Sequence, residues 1–241
     1  MNARRATKRV LDVAVAAVGL VVLSPVLLAI AVWLLASGER RVFHVEERVG
    51  RGGRPFRLVK FRTLAADAKG PTVAPTGDPR ILRPGRILRR TRLDELPQLI
   101  HVLAGTMSLV GPRPRKRADL EFVDAATLRE VWSVRPGVTG PAAIAGLGTD
   151  DALAECPDAE RAFRRDLLPL ELRLERRYVA RWSLRSDGCL LLRTFARLWS
   201  PAARRRSADR ARRRLAAAPH DPDHERSISR HRARATMPAR S

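Results

Sequence analysis

Residues 13–36 are apolar at nearly every position, interrupted only at Ser24-Pro25. Such a run predicts a helix. About 24 residues would measure roughly 36 Å, enough to cross a bilayer core of about 30 Å. A secretory signal is disfavoured, since its apolar region is about 7–15 residues. After the basic, glycine-rich stretch Arg48-Val49-Gly50-Arg51-Gly52-Gly53-Arg54-Pro55-Phe56, the alternation in Phe56-Arg57-Leu58-Val59-Lys60-Phe61 predicts a hairpin strand. Residues 70–84 carry proline, glycine and threonine without a period and read as a loop. Leu99, Ile100 and Leu103 recur at helical spacing, which predicts a short helix with Asp94 and Glu95 at or near its start. Thr91 and Asp94 have capping-box spacing. Arg135-Pro136-Gly137-Val138-Thr139-Gly140 reads as a turn. Residues 150–199 are largely helical in pattern, with Leu167, Leu168, Leu170, Leu174, Tyr178 and Trp182 sharing an apolar side. Residues 200–241 have no apolar period and are expected to be disordered.

These elements predict a mainly helical α+β fold. Residues 1–38 form a basic N-terminus and membrane helix, residues 39–199 a small cytosolic domain with a short β-hairpin and amphipathic interface helices, and residues 200–241 an arginine-rich tail. Two features oppose a simple span. Pro25 lies at the middle of the run, where it removes a backbone hydrogen bond. Both flanks are also basic, with Arg4, Arg5, Lys8 and Arg9 before the run and Arg40, Arg41, Arg48, Arg51 and Arg54 after it, so the positive-inside rule places both in the cytoplasm. A helix bent at Ser24-Pro25 that leaves by the leaflet it entered satisfies both observations. Each arm of about 11 residues, roughly 16 Å, reaches half the bilayer depth. A proline-kinked span is the alternative.

Length allows one ordinary domain plus tails. The formal net charge of +22 over 241 residues implies an anionic partner: nucleic acid, an anionic lipid surface or a phosphorylated substrate. An aromatic content of 5%, without a zinc-finger or RNA-recognition signature, counts against nucleic acid. Cys156 and Cys189 make neither a disulfide framework nor a metal-ligand spacing, and suit a reduced, cytosol-facing domain. His44 and His101 stand alone, and no histidine is assigned to zinc.

The chemistry concentrates in one stretch. Arg83, Arg86, Arg89, Arg90 and Arg92 lead into Leu93-Asp94-Glu95-Leu96-Pro97-Gln98, and a second basic knot follows at Gly111-Pro112-Arg113-Pro114-Arg115. Two acids between cations can hold a polyanion and still offer it a nucleophile. A divalent metal would remove the repulsion between carboxylate and phosphate. Acids and Pro97 also suit an ordinary helix start.

The run Leu93-Asp94-Glu95-Leu96-Pro97-Gln98-Leu99, followed by Met107-Ser108-Leu109-Val110-Gly111-Pro112-Arg113-Pro114, closely resembles the bacterial sugar transferase family. These are small monotopic polyprenyl-phosphate phosphoglycosyl transferases. Further matches are Lys8-Arg9-Val10-Leu11-Asp12, the Ser-Pro pair in the apolar run, Lys60-Phe61-Arg62, Pro136-Gly137-Val138-Thr139-Gly140, and Tyr178, Ser183-Leu184, Asp187 and Thr194. The resemblance covers roughly residues 8–199.

It implies a re-entrant membrane helix at the cytoplasmic face of the inner membrane. The implied reaction moves sugar-1-phosphate from a UDP-sugar to a polyprenyl phosphate, releasing UMP, as the first membrane step of polysaccharide or glycoconjugate synthesis. Asp94 is the implied nucleophile, forming a covalent phosphosugar-aspartate, and Glu95 its catalytic partner, both near Mg²⁺. Arg89 is implied to grip the diphosphate, Arg113 to lie in the nucleotide-binding region, and Lys60 and Arg62 to contact substrate. Long-chain lipid and basic surfaces together imply an anionic membrane as partner, and no nucleic acid. The chain departs from the family at Glu46, where glutamine is usual, and at Thr63-Leu64, where Ser-Met is common. After Gly140 a polar glutamine and a cation give way to Pro141-Ala142-Ala143-Ile144-Ala145-Gly146-Leu147. These departures bear on sugar specificity. A non-catalytic adaptor holding anionic lipids or partner proteins is the alternative function; it would not need Asp94.

Overall fold

The structure is a computed structural model that describes residues 2–65, 68, 70, 73–121, 123–145 and 149–216. The apolar run forms helix α1 (Asn2–Ala36), which continues through Pro25. Proline has no N–H to offer the carbonyl of Val21, four residues back. The Ser24 hydroxyl supplies that bond instead, donating to Val21 O at 2.8 Å. The Ser-Pro pair thus repairs its own defect, which matters most where no water can do so.

A hairpin follows, β1 (Phe43–Val49) and β2 (Pro55–Phe61), antiparallel with His44 opposite Lys60 and Glu46 opposite Leu58. Helix α2 (Arg83–Thr91) leads through a 3₁₀ turn (Leu93–Gln98) into α3 (Leu99–Ala104) and β3 (Ser108–Val110). Then come α4 (Ala125–Val131), β4 (Gly137–Thr139), α5 (Pro141–Ala145), α6 (Thr149–Leu153) and α7 (Ala159–Ala162). A π-helical turn (Phe163–Leu167) precedes α8 (Leu168–Ala180), α9 (Leu184–Trp199) and α10 (Pro201–Ala216).

Helix α1 lies along the rest of the protein by one face. Ala16, Leu20 and Leu23 pack with Leu99, Val102, Met107 and Leu109, and farther on Ile30 and Leu34 pack with Phe61 and Leu88. The opposite face leaves Val10, Val18, Val21, Val22, Leu28 and Val32 exposed. Its N-terminal end is fixed by polar bonds. Arg9 donates to Val102 O and Leu103 O at the C-terminal end of α3, where Val102 O also accepts from the Gly105 N–H. Lys8 pairs with Asp187 at 2.6 Å, and Asp187 also accepts from Tyr178 and Trp182. Asp12 accepts from the Ser108 hydroxyl and the Leu109 N–H. Ser183 caps α9 with the reciprocal bonds of a capping box.

The predicted α+β class, the hairpin, the short helix after the acids and the helical C-terminal half are all present. Four expectations differ. The stretch 135–140 is not only a turn: it contains β4, parallel to β3. Glycines make that pairing possible, because a Cβ on Gly137 would stand 2.1 Å from Gly111 N, and one on Gly140 2.1 Å from Gly111 O. Thr91 makes no capping box; its hydroxyl donates back to Ile87 O and Leu88 O, and Arg92 occupies the cap. The buried face of α8 is Leu168, Glu171, Leu172, Glu175 and Tyr178, not the all-apolar stripe expected, with Leu170 and Leu174 only half-buried. Finally, residues 201–216 are helical rather than disordered. Alanine and arginine are strong helix formers, and Pro201 is tolerated in the first turn. The rest of the expected tail, residues 217–241, lies outside the described residues.

Candidate active site

The acids sit at a corner. Arg92 ends α2 in the left-handed region, at φ 59°, an unusual conformation for a non-glycine residue. That corner starts the 3₁₀ turn bearing Asp94 and Glu95, which packs on β2. The period-two pleat of the hairpin brings His44, Glu46 and Arg48 to one face, with Lys60 beside them. Together with Arg89, Arg92, Arg113, Arg115, Lys116 and Asp150 they line a cleft of about 400 Å³.

Asp94 is buried, and its Oδ1 has no hydrogen-bond partner. Burial and the neighbouring Glu95 push its carboxyl up to about 6, against the pull of Arg92, Lys60 and Arg89. Glu95 is different. Burial opposes its charge, but Arg113, Arg92 and Lys60 outweigh burial and hold its carboxyl below the usual range. Its Oε1 accepts from Arg92 at 3.1 Å and from Arg113 at 3.3 Å. One acid is thus fixed and charged, and the other carries an unsatisfied oxygen.

Glutamates on α8 position the Gly111-to-Arg115 loop. The Arg113 N–H donates to Glu175 Oε1 at 2.8 Å, and Arg115 pairs with Glu171. Glu175 is fully buried, and burial raises its carboxyl to about 7 despite Arg115 and that N–H. Glu46 gathers Arg48, Lys60 at 2.9 Å and Lys116 at 3.2 Å. Burial works against its charge, yet His44, Lys60 and Arg48 together hold its carboxyl far below the usual range. Glu46 therefore ties cleft cations to a protein carboxylate. Arg89 is likewise engaged, donating to Asp150 Oδ2 at 2.9 Å and to Ala74 O.

Asp94, Glu95, Arg89, Arg113 and Lys60 are brought together here. Arg62 is not in the cleft lining: its guanidinium donates to Arg41 O and Phe43 O beside the hairpin. Missing from the sequence reading were Asp150, Glu171, Glu175 and Lys116, because their partners are distant in the chain. Among the described residues no group of three or more His, Cys, Asp and Glu could hold a metal ion. Two adjacent carboxylates, one with an unpartnered oxygen, nonetheless suit Mg²⁺, which commonly takes one or two carboxylates and completes its shell with substrate phosphate and water.

The family model for bacterial sugar transferases matches residues 3–201. A UDP-glucose:undecaprenyl-phosphate glucose-1-phosphate transferase of Caulobacter vibrioides is 37% identical over 193 residues, covering 78% of this chain and 67% of the relative. A protein of the same name from Escherichia coli is 38% identical over 190 residues, 76% of this chain but only 38% of its own length. The exopolysaccharide production protein ExoY of Rhizobium meliloti is 33% identical over 204 residues, covering 78% of this chain and 83% of its own.

Proposed function

The chain belongs to the bacterial sugar transferase family, and from that premise we propose that it transfers sugar-1-phosphate from a UDP-sugar to a polyprenyl phosphate, releasing UMP. The observation that carries this reading is Asp94, a buried carboxylate with one unpartnered oxygen at the floor of a basic cleft. Asp94 attacks the β-phosphorus; the bond to the UMP oxygen breaks, and a phosphosugar-aspartate forms. A phosphate oxygen of the polyprenyl acceptor then attacks the same phosphorus and releases Asp94 as carboxylate. Dividing the transfer in this way replaces one difficult step with two easier ones.

Arg89 and Arg113 hold the diphosphate, and their planar guanidinium groups suit phosphate better than ammonium groups do. To do so Arg89 exchanges Asp150 for substrate. Glu95 keeps Arg92 and Arg113 in place, while Glu175 and Glu171 fix the loop that carries Arg113. Lys60 and Arg62 were both expected to contact substrate; Lys60 stands in the cleft, whereas Arg62 supports the hairpin. Mg²⁺ held by Asp94 and Glu95 would neutralise charge that builds on the phosphate oxygens.

Membrane placement follows from α1. Its 35 residues would extend about 52 Å if straight, but between Lys8 and Leu34 one narrow face rests on protein while the rest of the helix is bare. A helix running independently through lipid would not have that contact. We therefore place α1 as a re-entrant element with its bare apolar face in the bilayer, at the cytoplasmic side of the inner membrane. The lipid acceptor then reaches Asp94 within the membrane plane, and the basic surface meets anionic head groups.

The test is UMP release by the detergent-solubilised full chain given Mg²⁺, polyprenyl phosphate and UDP-sugars, beginning with UDP-glucose. Turnover that requires the lipid and disappears in Asp94→Asn supports the reading. Equal release by that variant would remove Asp94 as nucleophile.

A further inference from the structure

The matched region ends at residue 201, but helix α10 continues beyond it and folds back on the protein. It packs against α6 with Ala208 and Ala211 buried, and Arg212 pairs with Glu155 at 2.8 Å. Between α10, α6, α2 and the Thr76-Gly77 turn lies a second cavity, of about 930 Å³, at the upper end of the range for small-molecule sites. Arg89, Arg92 and Asp150 line both this cavity and the cleft of Asp94. The two spaces therefore adjoin, with the Arg89–Asp150 pair on their common wall.

The charges in this cavity are unbalanced. Its carboxylates are engaged: Asp150 by Arg89, Asp151 by the Thr76 hydroxyl at 2.6 Å, and Asp209 by Arg212. Arg86 from α2 and Arg205 from α10 also line it, and among the described residues neither has a carboxylate within ion-pair distance. Cations converging on a cleft beside a phosphate-handling centre call for an anion. Apolar Ile81, Ala154 and Ala208 give the same walls room for an uncharged group.

We propose that α10 is part of the donor site: with the β-phosphate held at Asp94, the uridine monophosphate end of the donor extends past Arg89 into this cavity, where Arg86 and Arg205 bind its α-phosphate. This rests on the transferase reading and adds a binding element beyond the matched region. Because α10 supplies one cation and one wall, donor affinity depends on it, whereas the reacting atoms at Asp94 do not.

The experiment is calorimetric titration of UDP into the full chain in detergent. Arg205→Glu and Arg86→Glu should each weaken UDP binding by about tenfold or more. Arg206→Glu, the same charge change at an exposed α10 position outside the cavity lining, should leave it as in the native chain. In turnover, Arg205→Glu should raise KM for the donor while kcat stays within about twofold. A native chain that releases UMP, yet whose UDP affinity is the same in Arg205→Glu, would refute the part assigned to α10 and leave the transferase reading standing. A native chain that neither binds UDP nor releases UMP would overturn both.

Discussion

Asp12 and Asp187, where α1 is pinned to the domain, are as buried as Asp94, with exposures of 5%, 7% and 7%. Their surroundings differ. Both oxygens of Asp12 and of Asp187 accept hydrogen bonds, from Ser108 and Leu109 in one case and from Lys8, Tyr178 and Trp182 in the other. Asp94 keeps one oxygen without a partner. A buried polar atom left unsatisfied is costly, and such costs tend to persist where function requires them. The pinning region spends its carboxylates on architecture, whereas the cleft holds one in reserve for substrate.

The sharpest way to break this comparison is to neutralise each carboxylate in turn. Asp94→Asn should lower lipid-dependent UMP release by at least about a thousandfold, while its thermal unfolding midpoint stays no lower than that of the native chain. A variant that melts well below native would make Asp94 a structural acid like the other two. Asp187→Ala should show the reverse. It leaves Lys8, Tyr178 and Trp182 without their common acceptor and should cost about 3 kcal/mol, seen as a midpoint lower by several degrees in detergent.

Glu175 sharpens the comparison, because it is a second carboxyl with an unpartnered oxygen, near the cleft but not lining it. With its carboxyl raised from 4.5 to about 7, the native fold holds this proton more tightly than the unfolded chain does. Stability from this group is thus present below the unfolded value and is lost as pH rises through about 7. Glu175→Gln should remove that loss, matching the native chain near pH 4 and exceeding it by about 3 kcal/mol above pH 7. Unfolding curves of the two proteins that run parallel across this range would contradict the assignment. The smallest expected effect is that of Asp150→Asn, which weakens the hold on Arg89. KM for the donor should fall by about two- to fivefold in steady-state assays if Asp150 competes with phosphate. A rise in KM would instead make Asp150 a positioning residue for Arg89.

Much of this was legible in sequence, because it is local. The apolar run gave α1, alternation gave β2, and the packed arginines around Asp94-Glu95 marked the cleft. What escaped depends on pairing across distance. Strand β4 is three residues of glycine, valine and threonine that look like a turn until Gly111 approaches them. Glu171 and Glu175 look like solvent-facing charges on α8, and only the return of Arg113 and Arg115 makes them interior. The family resemblance of Lys60-Phe61-Arg62 implied Arg62 as a substrate ligand, but the hairpin's start offers it two backbone carbonyls instead. Helix α10 was hidden by composition: a basic segment shows little apolar period when its buried residues are alanines.

The central claim is that Asp94 carries the sugar phosphate between donor and lipid, and the most direct measurement is a search for that adduct. The full chain would be mixed with UDP-sugar and Mg²⁺ without polyprenyl phosphate, then digested and examined by mass spectrometry. The peptide containing Asp94 should gain the mass of the sugar phosphate, one UMP should appear for each adduct, and added polyprenyl phosphate should discharge it. UMP formed only when donor and lipid are both present, with no adduct trapped or with the adduct on another residue, would contradict the two-step mechanism at Asp94.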